Sequence, residues 1–585
     1  MSTYRQNTSG QPRQGRPSRR AFLTAAAAAG TLAWTPVFRV TPASAQATSA
    51  PPPGFPGSIP VYQQAYQNWV GMIVIEDVWT CAPASPADVA TLANWAQASG
   101  YRLRAKGMGH GWSPLVLPAS STGAGYVLLD TTQRLTAVSV TAGPPATVTV
   151  QAGATMDSLT TRLAAAGYGC CAIPAPGDLT VGGVLAINAH GSAIPARGER
   201  PLAGQSYGSL SNLIVSLTAV VWNAGRGQYV LKTFQRHDPD IRAFLAHLGR
   251  AFVTSVTLQV AASQTLRCQS RVDISAADLF APPATAGSNS FASYADRTGR
   301  IEAIWFPFTG NAWAKVWTLA PRKPLLSRKV TSPYNYPFTN ISAAESELFT
   351  AVVTGDPAGT PTLEATSIGV VDTGLITTAT LDIWGQWQDV LRYVQPGTER
   401  ILQAGWAVLT SRASIQRVVS DFYAQYTSRL SHYQGQGKYP MNGPIEIRVT
   451  GLDHPADSVV PGAQSPILST IRPRPDHPEW DVAVWMDLGT LPVTPGYSQF
   501  YADLEDWMWG HYTGGYAAVR PEWSKAWACT PRAPWTDATI LGTAIPAAVS
   551  AGQAPHDGWA AAVSILTSYD PHSVFSNPFL DTLLR

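Results

Sequence analysis

The first half of the chain alternates short apolar runs with glycine- and proline-rich turns, which predicts strands joined by tight loops. Residues 126–130 are apolar up to a final aspartate and predict a buried strand, while residues 146–151 alternate like a half-buried one. Residues 101–105 predict a strand that ends at a glycine-rich loop. Residues 156–166 place leucines four positions apart before a glycine, which is typical of a short amphipathic helix.

The second half, from about residue 262, has longer turns and more proline and tryptophan. Most buried aromatic side chains only pack a core, but some can line a pocket for a large apolar ligand, because such pockets are mainly hydrophobic. The tryptophans of this half that could line such a pocket are Trp305, Trp313, Trp317, Trp384, Trp387, Trp406, Trp480, Trp485, Trp507, Trp509, Trp523 and Trp527.

One strand of the second half carries two opposite charges. Residues 444–449 alternate, so Glu446 and Arg448 are expected on one face of a strand, about 7 Å apart. From the pattern alone, such a pair is most often a surface salt bridge.

The N-terminus is predicted to be an export signal. Residues 18–23 (Ser-Arg-Arg-Ala-Phe-Leu) resemble a twin-arginine signal, and the apolar run that follows is shorter than the roughly 20 residues of a membrane-spanning helix. Residues 43–45 (Ala-Ser-Ala) offer a cleavage site, so the mature protein is expected to begin at Gln46. A disordered basic tail is the alternative.

Charge, length and cysteine content narrow the class of protein. Residues 1–45 hold six arginines and no acidic residue, so their removal changes the net charge from +3 to about −3. A mildly acidic protein of this kind gives no reason to expect nucleic acid as a partner. No other long apolar run predicts an integral membrane span. Roughly 540 remaining residues suggest two domains. The five cysteines are odd in number and fit no zinc pattern, so no metal is expected.

Two glycine-rich segments, the first glycine loop (residues 107–111, Gly-Met-Gly-His-Gly) and the second glycine loop (residues 174–183), suit an anionic ligand. Glycine lets backbone N–H groups approach a pyrophosphate because no Cβ stands in the way. The spacing is not that of a Rossmann fingerprint. Each loop alone is weak evidence, but together they indicate a dinucleotide.

In their order along the chain these elements, with Thr-Val-Gly-Gly at 180–183 and His-Gly-Ser at 190–192, resemble the FAD-binding domain of the vanillyl-alcohol oxidase family. The resemblance implies an α+β, two-domain fold with a PCMH-type FAD-binding domain at 61–262 and a mixed-sheet substrate domain. Arg250 departs from the family, which often has a small residue there. The FAD contacts implied are Gly107, Met108, Gly109, His110, Gly111, Trp112, Ser113, Asp178, Thr180, Val181, Gly183, Asn188, His190, Val253, Lys525 and Asn577.

The resemblance also implies that FAD is bound covalently through His110, by a bond from a ring nitrogen to the 8α-methyl group of the flavin. Such a bond fixes the ring and raises its redox potential, which favours hydride acceptance. A second link through cysteine is not expected, because Asp178 stands where that cysteine would be.

Residues 266–275 and 300–307 resemble the opening of the substrate domain of covalent-flavin (class II) cholesterol oxidases. The proline-rich residues 46–60 are expected to be a lead-in, and the resemblance implies a substrate-binding domain at 263–540 and a return of residues 541–585 to the FAD domain. In that family a Glu-x-Arg pair stands at the active site, which implies catalytic roles for Glu446 and Arg448. A nearby glutamate gates a narrow tunnel that carries oxygen, and local context selects Glu302.

Residues 520–525 (Arg-Pro-Glu-Trp-Ser-Lys) resemble the Arg-Pro-His-Trp-Gly-Lys stretch of sugar-alcohol oxidases, with Glu522 and Ser524 as departures that put a polyol pocket in doubt. The expected activity is therefore oxidation of a 3β-hydroxysteroid by O2, with H2O2 as by-product and migration of the ring double bond. An alditol or aldonolactone oxidase and a flavin protein without catalysis remain alternatives. The sequence leaves the oligomeric state open.

Overall fold

A computed structural model describes residues 50–339, 343–394 and 400–585. The predicted export signal at residues 1–45 lies outside the described residues. No described helix is both long and apolar enough to cross a membrane.

The chain begins with a four-stranded sheet in the order β1-β2-β4-β3. β1 and β2 are antiparallel, whereas β2, β4 and β3 run parallel. Helix α1 begins at a capping box between Ser85 and Asp88 and packs its apolar face on the sheet. The elements are β1 (Val61–Gln67), β2 (Val74–Cys81), α1 (Pro86–Ser99), β3 (Arg102–Lys106) and β4 (Tyr126–Asp130).

A second, antiparallel sheet follows in the order β5-β6-β10-β8-β9, and the short β7 pairs with the end of β10. Its inward apolar side chains pack against α2 and α3 in one core. The elements are β5 (Val138–Thr141), β6 (Ala146–Gln151), α2 (Met156–Ala165), β7 (Tyr168–Gly169), α3 (Val181–Ala186), β8 (Ile214–Asn223), β9 (Gln228–Gln235), α4 (Ile241–Phe244) and β10 (Phe252–Ala262).

The second half is built on a nine-stranded sheet in the order β14-β15-β11-β13-β12-β17-β18-β16-β19. The strands are β11 (Thr265–Arg271), β12 (Arg300–Trp305), β13 (Ala312–Leu319), β14 (Arg328–Lys329), β15 (Asp382–Gln386), β16 (Leu402–Thr410), β17 (Ile445–Gly451), β18 (Val482–Thr490) and β19 (Ala517–Pro521). All neighbours are antiparallel except β14 and β15.

Every residue of β16 and β18 is buried, since both faces of these central strands are covered. The helices of this half that precede β19 are α5 (Ala276–Leu279), α6 (Phe291–Thr298), α7 (Ala343–Thr354), α8 (Thr360–Thr377), α9 (Trp387–Leu391), α10 (Ile415–Gly435) and α11 (Tyr497–His511). Side chains of α10 and α11 join β12, β16, β17 and β18 in a second large core.

The C-terminal residues lie against the first half of the chain. They form α12 (Ile545–Ser550), α13 (Trp559–Tyr569) and α14 (Pro578–Leu583). The N–H of Leu103 on β3 donates to the carbonyl of Val574 at 2.7 Å. The buried guanidinium of Arg250, the departure noted in the sequence, pairs with Asp570, which also accepts the N–H groups of Val574 and Phe575. Arg250 therefore binds this return segment.

The predicted elements coincide with observed ones. The strands at 126–130 and 146–151 have the predicted bounds, and the strand at 101–105 lies one residue later, at Arg102–Lys106. The helix predicted for 156–166 ends at Ala165, before Gly167 at φ +81°. All five cysteines lie within the described residues and are free thiols.

Candidate active site

A cavity of about 550 Å³ lies between the loops of the first half and the nine-stranded sheet. The first glycine loop and part of the second line one side, and side chains from β12, β13 and β17 line the other. The predicted residues that reach its wall are Gly107, Met108, Gly109, His110, Gly111, Trp112, Ser113, Thr180, Gly183, Asn188, His190, Val253, Glu302, Glu446, Arg448 and Lys525.

The first glycine loop presents a row of free backbone donors to this cavity. Among the described residues, the N–H groups of residues 107–111 donate to no other group. Gly109 adopts φ +77°, and a Cβ on Gly107 would lie 2.4 Å from Oγ1 of Thr180. Consecutive N–H groups in such a turn form a binding site for an anion, so the loop fits the pyrophosphate of FAD.

The imidazole of His110 is held on two sides. Its Nε2 lies 2.8 Å from Oδ2 of Asp178, and its ring stacks on Trp69 at 4.1 Å between centroids. Burial acts to raise the pKa of Asp178, but the hydrogen bond from His110, a backbone hydrogen bond and the nearby side chains of His110 and Arg400 together outweigh it and lower that pKa. Nδ1 of His247, a residue of the cavity wall, is buried without a partner among the described residues, which fits a polar group in the cavity.

Three predicted FAD contacts do not reach the cavity wall. Asp178 lies behind His110 and contacts that residue. Val181 is in the hydrophobic core of the second sheet, and its N–H donates to Ala154. The amide of Asn577 donates to the carbonyls of residues 114–116. Asn577 therefore supports the segment after the first glycine loop, and direct contact with FAD by Val181 or Asn577 has no support in this geometry.

Asn188 reaches the wall through its backbone, at φ +63°. Its amide group is used elsewhere, because it donates to Asp453 at 2.9 Å and accepts from Ser469 and the N–H of Thr470. These three partners belong to the second half of the chain. Asn188 therefore joins the two halves behind the cavity.

Arg448 is the centre of a cluster of carboxylates. It lies on β17 between its sheet neighbours, β12 and β18, which bring Glu302 and Asp487 to it. Its Nε donates to Glu302 at 2.7 Å, and its two other nitrogens donate to Asp487 and Glu446. Gln403 donates to the other oxygen of Glu446 at 3.3 Å. The Glu446–Arg448 pair is therefore within the cavity and is not a surface salt bridge.

Glu302 has two further partners. It pairs directly across the sheet with Lys315, whose Nζ lies 2.5 Å from Oε2, and it accepts the hydroxyl of Tyr393 at 2.6 Å. Burial acts to raise the pKa of Glu302, but Lys315 and Arg448 outweigh it and lower the pKa to about 2. Burial lowers the pKa of Lys315 to about 8. Glu302 is therefore an ionised, fully buried carboxylate.

A second group lies around Asp487. Burial and the charge of Asp487 raise the pKa of Glu522 well above its usual value, and the two carboxyl groups share a hydrogen bond. A neutral Glu522 is thus the donor. Nδ1 of His190 lies 2.9 Å from the carbonyl of Gly191, and burial lowers the pKa of His190 to about 3. Lys525 bonds Gln403 and lies 3.7 Å from Asp487.

The rest of the wall is largely aromatic and aliphatic. It includes Phe306, Trp313, Trp317, Phe338, Phe349, Val371 and Leu391, from β13 and the helices α7, α8 and α9 and their connections. Two tryptophans of the set singled out in the sequence thus line the cavity, and most of the others are in the cores. The cavity joins a charged cluster to a large apolar wall.

Four residues of this site were not predicted from the sequence: Lys315, Tyr393, Gln403 and Asp487. The first two contact Glu302, and the last two contact the Glu446–Arg448 pair. Lys315 is a cation within an otherwise apolar strand, Ala312–Leu319, and this is the one local signal that could have drawn attention to it. The others depend on strand pairing and loop placement.

Comparison with known proteins agrees with this geometry. Residues 79–226 match the family "FAD binding domain", and residues 265–585 match the family "Cholesterol oxidase, substrate-binding". A structure described as a solvent-stable cholesterol oxidase is 52% identical, with a TM-score of 0.90, covering 92% of this chain and 100% of that one.

Two further structures are of the cholesterol oxidase of Brevibacterium sterolicum. One is the enzyme itself and one a variant with a histidine replaced by alanine; both are 43% identical and cover 92% of this chain and 99% of the other, with TM-scores of 0.90 and 0.89. A search of curated proteins found no match. The α+β, two-domain fold with FAD as cofactor follows from these matches, and the chain belongs to the cholesterol oxidase family.

Proposed function

We propose that the protein oxidises the 3β-hydroxyl of a cholesterol-like sterol to a ketone and reduces O2 to H2O2. The observation that carries this proposal is one cavity in which free N–H donors, a carboxylate–arginine cluster and a large apolar wall meet. When bound, FAD would supply the hydride acceptor and the means of reducing O2. The chain's own residues bind the sterol, move the hydroxyl proton and hold positive charge.

Glu446 is the proposed base. Its carboxylate faces the cavity, with one oxygen bound by Arg448 and the other by Gln403. It takes the hydroxyl proton while hydride leaves C3, so that the C–O bond becomes a carbonyl. Arg448 and Lys525 provide positive charge that stabilises negative charge developing in this closed site.

Glu302 is the proposed gate beside Arg448. Glu302 is buried behind the arginine and is also bound by Lys315 and Tyr393. If only the Arg448 side chain moves, Glu302 loses its contact with Arg448 and keeps the other two. This arrangement supports a gate formed by the Glu302–Arg448 contact, which opens when the arginine side chain moves away from the fixed glutamate. Access of O2 is the step it controls in this proposal.

The apolar wall favours a sterol over a polyol. Tryptophan and phenylalanine side chains offer no set of donors and acceptors for several hydroxyl groups, and burying unpaired hydroxyls is costly. Glu522 replaces the histidine of the sugar-alcohol oxidases and is hydrogen-bonded to Asp487. No observation favours an alditol or aldonolactone substrate.

Covalent attachment of FAD through His110 is part of the proposal. Because Nε2 of His110 is engaged by Asp178, Nδ1 is the nitrogen available for the bond. Migration of the double bond from Δ5 to Δ4 is also proposed, as a proton transfer between two ring carbons by a carboxyl group of the same cavity.

The test is a substrate panel of cholesterol, xylitol and a sugar lactone, scored by H2O2 release. Release with cholesterol alone supports the proposal, and release only with the polyol or lactone contradicts it. Growth of the absorbance of a conjugated enone, compared with H2O2 release, reports the isomerisation separately.

Export by the twin-arginine route, with Gln46 as the mature N-terminus, is proposed from the residue pattern at 18–45. Replacing Arg19 and Arg20 by lysine keeps the charge and removes the motif, so the protein should remain in the cytoplasm. Export of this variant at the wild-type level would contradict the proposed route, and N-terminal sequencing checks the cleavage site.

A further inference from the structure

The turn between β13 and β14 holds two leucines in solvent. Leu325 and Leu326 are 91% and 89% exposed, more than any other large apolar residue among those described as exposed. Adjacent, almost fully exposed leucines are unusual on a protein surface and indicate a contact with another apolar phase. We call residues 320–327 the Leu-Leu turn.

The Leu-Leu turn is fixed by its own hydrogen bonds. At its start the carbonyl of Ala320 accepts from the indole of Trp384 at 2.8 Å. At its end Ser327 is buried; its N–H donates to Pro324 at 3.2 Å and its hydroxyl to Asp382 at 2.8 Å. Between them, Lys323 donates to the carbonyls of Pro324 and Leu325. The leucines are therefore held outward by an ordered turn.

Four exposed basic side chains flank the two leucines along the chain: Arg322, Lys323, Arg328 and Lys329. None of them forms a salt bridge with an acidic residue of the described chain. The acidic group next to them, Asp382, is already bound by Arg267 through two hydrogen bonds. Two exposed leucines flanked by four basic side chains complement an anionic surface with an apolar layer beneath it, which is a phospholipid membrane.

The turn adjoins a helix that lines the cavity. Arg328 donates to the carbonyl of Thr378, directly after α8, and β14 pairs with β15. Ser367 and Val371 of the same helix are in the cavity wall. Near the end of α8 the side chain of Ile376 is also exposed, at 59%.

We propose that the Leu-Leu turn docks the protein on an anionic phospholipid surface, with Leu325 and Leu326 inserted below the headgroups and the four basic residues bound to phosphate groups. Docking in this way brings the end of α8, and with it one wall of the cavity, to the membrane. Its value for catalysis rests on the proposed sterol oxidation, whereas the binding itself does not.

The experiment measures co-sedimentation of the flavin-loaded protein with vesicles of phosphatidylcholine alone or mixed with phosphatidylglycerol. The wild type should bind the anionic vesicles at least tenfold more tightly, and added salt should weaken this binding. The double variant Leu325→Ser/Leu326→Ser and the double variant Arg322→Glu/Lys323→Glu should each lose tenfold or more. The matched control is Val493→Ser, a 67% exposed apolar residue elsewhere, which should bind like the wild type.

Equal binding by the wild type and both double variants, or no binding of the wild type to anionic vesicles, would overturn the proposal. Sedimentation velocity provides a second test. If the wild type is a dimer that the Leu325→Ser/Leu326→Ser change dissociates, the turn binds a second copy of the chain, and the proposal of membrane docking is rejected.

Activity separates this proposal from the proposed function. The leucine variant should oxidise detergent-solubilised cholesterol at the wild-type rate and vesicle cholesterol at least tenfold more slowly. Equal loss on both substrates would contradict docking. Absence of any sterol oxidation by the wild type would reject the proposed function and leave the vesicle-binding result to decide on docking.

Discussion

His110 and Asp178 share a hydrogen bond of 2.8 Å between Nε2 and Oδ2. A neutral imidazole has one N–H, so donation from Nε2 to the carboxylate leaves the lone pair on Nδ1. The carboxylate thus fixes the tautomer in which Nδ1 can form a bond, and it stabilises positive charge on the ring. Asp178 acts on the attachment of FAD through His110 in this interpretation.

The first prediction concerns the attachment of flavin. In the wild type acid should leave the flavin on the protein, and in His110→Ala acid should release all of it. Asp178→Ala should lower the covalently bound fraction, since the favoured tautomer loses its partner. The measurement is flavin absorbance in the acid supernatant and pellet. His237→Ala, an exposed histidine, is the control and should behave like the wild type. Complete release of flavin from the wild type by acid would contradict the proposed covalent bond.

The second prediction concerns the Glu446–Arg448 pair. Glu446→Gln keeps the shape and removes the base, so anaerobic flavin reduction by cholesterol should slow by about 10² to 10⁴. Arg448→Lys should also be slower, because lysine cannot donate to Glu302, Asp487 and Glu446 from one planar group. Stopped-flow absorbance gives the rates.

A matched control for this pair is Arg267→Lys, which changes an arginine bound to Asp382 on the same sheet, away from the cavity wall. Its reduction rate should equal that of the wild type. Unchanged rates in both cavity variants would leave the reaction without an identified base and would count against Glu446.

The third prediction concerns pH and Glu522. Its folded pKa is raised well above the usual value, so it holds a proton that the unfolded chain releases above a pKa of about 4.5. The stability that depends on this proton is fully present below that pH and declines as pH rises toward the folded pKa. Glu522→Gln is neutral in both states and removes this decline.

The measurement is the melting temperature of wild type and Glu522→Gln between about pH 5 and pH 8. As pH rises, the melting temperature of Glu522→Gln should increase relative to that of the wild type. Glu76→Gln, which changes an exposed carboxylate on β2, serves as the control and should give a curve parallel to that of the wild type. A constant difference between wild type and Glu522→Gln would show that Glu522 is ionised in the folded protein.

Some features of the cavity could be predicted from the local sequence, and others depend on tertiary structure. Gly109 adopts φ +77°, a local requirement of the turn, and Glu446 and Arg448 are two positions apart on one strand, so both features could be predicted. Asp487 faces Glu446 only because β17 pairs with β18 in one register, and Tyr393 reaches Glu302 from a connecting segment. Such contacts are set by tertiary structure.

The same distinction between local sequence and tertiary structure applies to the side-chain orientations of Val181 and Asn577. Each stands in a motif that the sequence could identify, but a motif does not say which of its side chains faces the ligand. In α3 the helical turn directs Val181 into the core, and the cap of α14 directs Asn577 to the chain itself, where its Oδ1 accepts the N–H of Leu580. The direction that a side chain takes within its element depends on tertiary packing.

The last prediction concerns the buried pair Glu302–Lys315, whose side chains are 1% and 0% exposed. Removing one partner leaves the other buried and less well compensated, which typically costs about 3–5 kcal/mol, whereas replacing both by apolar groups is often neutral. Lys315→Met should therefore lower the melting temperature strongly, and Lys315→Met/Glu302→Leu should recover much of the loss. Arg271→Met, at an exposed pair with Asp273, is the control and should cost less than about 1 kcal/mol.

The pH dependence of this pair gives an independent check. The folded pKa of Glu302 is lowered to about 2, so its contribution to stability is present above the unfolded pKa of about 4.5 and is lost as pH falls toward 2. Without Lys315 the folded pKa of Glu302 rises toward its usual value. Lys315→Met should then lose less stability than the wild type on acidification from pH 5 to about pH 3. A steeper acid loss in the variant would contradict an ionised Glu302 stabilised by Lys315.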